Sequence, residues 1–199
     1  MGAYYYLVSQ LPSLIYGQVA PLSSSAFRDL ARPLLDSGDA ALLDFCSLDP
    51  QPFKAADDGP AYAEHSIASG SEFIDRWREW ERALRLNLAR VRSVKGKREG
   101  AAPVEPPLFP ADAAAAAARA VAAESPLEAE LILDKARWDA IEGLQGINYF
   151  DRNTIYAYLL KLLLLERGAA FEVENGFTEY KSLYAAILER VQTPMGEAK

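Results

Sequence analysis

The feature that most constrains this chain is the stretch Asn148–Phe171, NYFDRNTIYAYLLKLLLLERGAAF. Asp151 is suited to cap a helix, because its carboxylate can accept backbone N–H bonds that the first turn leaves unpaired. A helix beyond it, with Ile155, Leu159, Leu160 and four successive leucines from Leu162 to Leu165, is apolar around most of its circumference. Such a helix must be buried, either in a membrane or inside a bundle. The uncharged run is shorter than the roughly 20 residues that a bilayer crossing requires, and Lys161 interrupts it. The expectation is the central helix of an all-α bundle of about six helices.

The rest of the chain can surround such a helix. There are 199 residues, half of them hydrophobic and a quarter charged, which is enough for one or two domains. Division at a Pro/Gly-rich segment gives an N-terminal lobe (1–95), a linker (96–110) and a C-terminal lobe (111–199), or one domain overall. The linker, GKREGAAPVEPPLFP, has four prolines and two glycines.

Several segments read as helices. Ser23–Ser25 offers N-caps to a helix with Phe27, Leu30, Ala31, Leu34 and Leu35 inward, and Pro33 should end or kink it near Arg32. Asp36–Asp39 is a turn and a new cap. A second short helix over Ala40–Leu48 should point Leu42, Leu43, Phe45 and Cys46 inward. Ser69 and Glu72 stand at capping-box spacing before a long helix reaching about Lys95. Phe73, Trp77, Trp80, Leu84, Leu88 and Val91 form its apolar stripe. Pro110 leads into the alanine-rich helix 111–123. Ser125-Pro126-Leu127-Glu128 opens another, with Leu127, Leu131, Trp138 and Ile141 inward, Glu130, Asp134, Lys135 and Arg137 mostly outside, and Gly143 and Gly146 closing it. Tyr180, Leu183, Tyr184, Ile187, Leu188 and Val191 mark a last amphipathic helix. Tyr4-Tyr5-Tyr6-Leu7-Val8, taken alone, reads as a short strand or an extended turn.

Two features suggest contact surfaces. Three adjacent tyrosines, Tyr4, Tyr5 and Tyr6, cannot all point inward, so some ring must reach a second surface. Nine of the chain's 21 basic residues lie between Arg76 and Arg98, in a protein of net charge −7. That face is either a solvated one, with i,i+4 pairs such as Glu81–Arg85, or a docking surface for an acidic partner built on Arg85, Arg90 and Arg92. The overall acidity, and the lack of aromatics among the exposed arginines, argue against nucleic acid.

Chemistry is harder to find. His65 is the single histidine and Cys46 the single cysteine, so a His/Cys metal site and an internal disulfide are not expected. No nucleophile elbow, Walker loop or dinucleotide fingerprint is present. Glu130 and Asp134 lie one helical turn apart, a spacing more common on a solvated face than in a catalytic pair. No cofactor is expected, and an enzyme is unsupported. The N-terminus has no basic region before its short apolar run, and Tyr6 stands where a myristoylation signal wants Ser or Thr. A cytoplasmic protein is expected.

Three stretches together are familiar. YYYLVSQLPSL at the N-terminus, EFIDRWREWERALRLNLARVR in the middle and NYFDRNTIYAYLLKLLLLERGAAFE near the C-terminus resemble an uncharacterised bacterial family encoded within operons for V/A-type ATPases. The similarity runs in the same order over nearly the whole chain, and the linker is the variable part. One departure is Gly168, where an aromatic residue is expected after Glu166-Arg167. The resemblance implies a non-catalytic coupling or assembly component of a rotary ATPase, similar in role to the C/d-type subunit that joins the central stalk to the membrane ring. Its partners would be those ATPase subunits, with no nucleic acid and no direct membrane insertion, and its attachment to the membrane would be peripheral. The full C-type subunit is considerably longer. The alternatives are a helical adaptor unrelated to an ATPase, an enzyme with a carboxylate-based site, and an RNA-binding module using the basic helix.

Overall fold

The structure is a computed structural model that describes residues 2–49, 68–96 and 110–170. Among these residues it is all-helical: α1 (Gly2–Gln10), α2 (Ser24–Ala31), α3 (Ser37–Leu42), α4 (Glu72–Lys95), α5 (Ala111–Ala122), α6 (Pro126–Gln145) and α7 (Arg152–Ala170). Short 3-10 turns, Arg32–Leu34 and Leu43–Phe45, extend α2 and α3. The amphipathic segment 180–191, most of the linker and His65 lie outside the described residues. Among those described, no helix is long and apolar enough to cross a membrane.

The leucine-rich helix is α7. Asp151 caps it as expected, its Oδ1 accepting the Thr154 N–H at 3.0 Å. Ile155, Tyr156, Ala157, Leu159, Leu160, Leu162, Leu164 and Leu165 are buried. Each fully buried leucine contributes about 1.5–3 kcal/mol of transfer free energy. Lys161 does not break this burial. Its ammonium reaches Glu142 at 3.1 Å and lies 5.1 Å from the Trp138 ring centroid, so the charge is paired where the largely covered side chain leaves the core.

Around α7 the helix directions follow from a few contacts. Trp80 Nε1 donates to Asp112 at 2.9 Å and Lys95 Nζ to the Val121 carbonyl at 2.7 Å, so α4 and α5 run parallel. The buried stripe Ala113, Ala116, Ala117 and Ala120 allows α5 to approach its neighbours closely. Ser125 then caps α6, which returns antiparallel to α5. Gly146, at φ +74°, ends α6 in a backbone conformation that suits glycine, and α7 comes back antiparallel. Buried side chains from both sides of the linker belong to one cluster.

Several expectations need correction. The N-terminal tyrosines are in a helix: Tyr4, Leu7, Val8 and Leu11 lie at i, i+3, i+4 and i+7 and pack on the core, with Leu7 fully buried. That burial overrides the β preference of the rings. The cap of α4 is Ser71, whose Oγ accepts the Ile74 N–H, while Ser69 donates its N–H to Asp75. Phe45 is exposed, with the Arg78 guanidinium 5.0 Å from its ring centroid. Leu30, Leu127 and Leu131 are exposed, and Val91 is only half-buried. Asp134 and Arg137, expected outside, are buried instead. Pro33 behaves as expected, since the regular helix gives way to a 3-10 turn at Arg32.

Candidate functional site

The interior holds a charge network that crosses three helices. Glu81 on α4, and Asp134 and Arg137 on α6, are buried at 6%, 4% and 4% exposure. Arg137 donates through Nε and Nη2 to the two Glu81 oxygens at 3.0 and 3.1 Å, and through Nη1 to Asp134 at 2.8 Å. Arg85 adds a bond to Glu81 at 2.8 Å and another to the Leu48 carbonyl at 2.8 Å. Arg167 of α7 pairs with Glu130 and reaches Asp134 at 3.6 Å. Burial pushes the Asp134 carboxyl above the usual range, against the pull of Arg167 and Arg137. The Glu81 and Asp134 carboxylates hold the Arg137 guanidinium above its ordinary value although burial opposes them.

A second cluster centres on Asp39, in the first turn of α3. The Tyr4 hydroxyl donates to its Oδ2, the Tyr156 hydroxyl to its Oδ1 at 3.1 Å, and Arg152 lies 3.7 Å away. Burial first, then the Asp39 carboxylate, raises the pKa of both tyrosines, so both act as hydrogen-bond donors. Elsewhere Glu166 near the end of α7 accepts from the Ser24 N–H and hydroxyl at 2.6 and 2.7 Å, anchoring the N-terminus of α2.

These buried carboxylates, Asp39, Glu81 and Asp134, all carry hydrogen bonds from partners that hold helices together. The arrangement is that of structural cross-links between helices. Among the described residues no group of three or more His, Cys, Asp or Glu side chains could hold a metal ion.

The outer surface is more suggestive. Tyr5 and Tyr6 are 60% and 58% exposed, and the Tyr5 ring lies 4.7 Å from that of Phe150, in the turn between α6 and α7. Ile147, Tyr149 and Phe150 are all exposed beside it. The resulting aromatic face lies at the end of the bundle where α7 begins. The start of α4 is at the same end, with Phe73 6.4 Å from Tyr156. The far end of α4 carries Arg90, Arg92 and Lys95, all exposed, with exposed Val94 among them. Neither Arg90 nor Arg92 takes part in an ion pair among the described residues. Glu124 and Glu128 are the exposed acids of the neighbouring α5–α6 connection. A helix of 24 residues is about 36 Å long, so the two faces are separated by most of the length of the bundle.

Of the six residues singled out from the sequence, Tyr5 and Tyr6 are exposed on α1, Tyr5 against Phe150, and Arg90 and Arg92 are exposed together near the end of α4. The other two do not fit the expectation. Tyr4 turns its hydroxyl onto Asp39, and Arg85 is committed to Glu81 and Leu48. Tyr149 and Phe150 were missed, although three bulky residues in the turn between two helices, Ile147, Tyr149 and Phe150, were a readable signal.

Compared with known protein families, curated proteins and solved structures, the chain matches none.

Proposed function

We propose that the protein is a non-catalytic coupling or assembly component, held at two opposite ends by two different partner surfaces. The observation that carries this reading is the separation of an exposed aromatic face from an exposed basic one by the length of the helical bundle. Tyrosine and phenylalanine supply large, stiff contact area suited to a protein interface. The arginines suit an acidic surface and would speed the encounter with it.

The partners follow from the resemblance of the three sequence stretches to the family encoded in V/A-type ATPase operons. On that basis the partners are ATPase subunits of the central stalk and membrane ring, and the protein reaches the membrane peripherally through them. The bundle would act as a spacer, similar in role to a C/d-type subunit and shorter. Affinity purification from the native organism in mild detergent tests this reading. Rotary ATPase subunits should accompany the tagged protein, and their absence would leave a helical adaptor with other partners.

A further inference from the structure

A groove of about 190 Å³ opens beside the last turns of α7. Leu164 and Gly168 of α7, Leu131 of α6, and Tyr16 and Val19 of the segment before α2 give it a mainly apolar lining. The wall before α2 is held in place by specific contacts. Gly17, at φ +78°, turns the chain, the Tyr16 hydroxyl donates to the Leu131 carbonyl at 3.1 Å, and the Tyr16 ring meets Trp138 edge-on at 5.6 Å. Val19 is 82% and Leu131 49% exposed, so the groove offers apolar surface whose burial by a ligand is favourable. Gly168 keeps it open, since an added Cβ there would meet nothing within 4 Å.

One charged side chain, Asp134, lines the groove and is 4% exposed. Its Oδ1 accepts from Arg137 at 2.8 Å, while Oδ2 stands 3.6 Å from Arg167 Nε, too far for a hydrogen bond, and keeps the capacity to accept one. The charges around it balance, with Glu81, Glu130 and Asp134 set against Arg85, Arg137 and Arg167. An anion would meet the Asp134 carboxylate, and a cation would upset a network that is already neutral. A neutral hydrogen-bond donor does neither. The volume is near that of an engineered apolar cavity of about 150 Å³ that holds benzene. The fixed Tyr16 ring adds an aromatic surface for a second ring to pack on.

We propose that this groove binds a small neutral aromatic alcohol of the phenol class, its ring among Tyr16, Leu131 and Leu164 and its hydroxyl donating to Asp134. The bound ring would pin the segment before α2 to α6 and α7. The basis is independent of the ATPase reading.

Titration of the full-length protein with para-ethylphenol, followed in methyl NMR spectra, tests the assignment. The Val19, Leu131 and Leu164 methyl signals should shift and saturate with a Kd below about 1 mM, while Leu84 of α4 stays in place. Ethylbenzene, which lacks the donor, should bind about tenfold more weakly. The anion para-ethylbenzoate and the cation phenethylammonium should both bind more weakly than para-ethylphenol. Gly168→Leu places a side chain in the groove, and Val19→Asp charges its exposed wall; each should weaken binding by about tenfold or more. Neither should lower the melting temperature, because one improves helix propensity and the other alters an exposed residue. The proposal is overturned if para-ethylphenol gives no saturable shift, if ethylbenzene or either ion binds equally well, or if either variant keeps full affinity. Shifts of the same methyls with protein concentration alone would assign the groove to a second copy and overturn it equally.

Discussion

Arg137 forms a two-point bond to Glu81, Nε to Oε2 at 3.0 Å and Nη2 to Oε1 at 3.1 Å, between residues 56 positions apart and both nearly excluded from water. A buried pair of this kind adds little net stability compared with a well-packed apolar pair, but losing one member leaves a charge stranded. Arg137→Ala or Glu81→Ala should therefore cost about 3–5 kcal/mol in urea unfolding. Arg137→Lys should recover only part of this loss, because an ammonium cannot reproduce the planar fork. The exposed pair Lys135–Asp139 is the control, and Lys135→Ala should change stability by less than about 1 kcal/mol.

The three tyrosines of α1 should separate by function. Tyr4→Phe removes a donor to the buried Asp39 carboxylate and should cost about 1.5–3 kcal/mol, the usual worth of a hydrogen bond to a charged group. Tyr6→Ser alters an exposed side chain and should stay within about 0.5 kcal/mol in thermal unfolding, and Tyr5→Ser, which also loses the ring contact with Phe150, should cost no more than about 1.5 kcal/mol. Their effect should appear in partner capture instead.

The basic face should separate in the same way. Arg85→Glu would set a third carboxylate beside Glu81 and Asp134, and should destabilise the fold whatever the partner is. Arg90→Glu with Arg92→Glu touches no ion pair among the described residues and should leave helicity intact, at a cost of about 1–2 kcal/mol at most from the reversed charges near the helix C-terminus. Only the second variant is a clean probe of docking.

Alkaline pH should weaken the fold, through Cys46 and Tyr158 as well as the raised Tyr4, Tyr16 and Tyr156 hydroxyls. Burial raises the Cys46 thiol from 9.0 to about 12. It raises the Tyr158 hydroxyl from 10.0 to about 12. Both hold their protons more tightly when folded, so their stabilisation is complete below pH 9 and is lost as pH rises towards 12. Cys46→Ala should make the fall in stability over that range shallower. The native thiol should also resist alkylation near pH 8 and react once urea unfolds the chain.

Much of the fold could be read because apolar period and caps agreed. Asp151 and the leucines marked α7, Phe73 to Leu88 marked the inner stripe of α4, and Ser125-Pro126 marked the start of α6. Periodicity failed where charges go inside. Glu81, Asp134 and Arg137 are polar at every local level, and only the packing of three helices shows that they satisfy one another. The cap of α4 is likewise Ser71 and not Ser69, and the half-buried Arg85 is tied to Glu81 and the Leu48 carbonyl. The exposed site was half legible: adjacency alone required that some tyrosine face outward, but nothing local paired Tyr5 with Phe150, which lies 145 residues further on.

The central claim is that two opposite faces grip two different partners. Its most direct test is quantitative mass spectrometry of what co-purifies with the tagged protein and with two variants, Tyr5→Ser/Phe150→Ser and Arg90→Glu/Arg92→Glu. Rotary ATPase subunits should accompany the unaltered protein, and each variant should lose a different subset while remaining folded. Recovery without ATPase subunits, or an identical set of partners in all three samples, would contradict it.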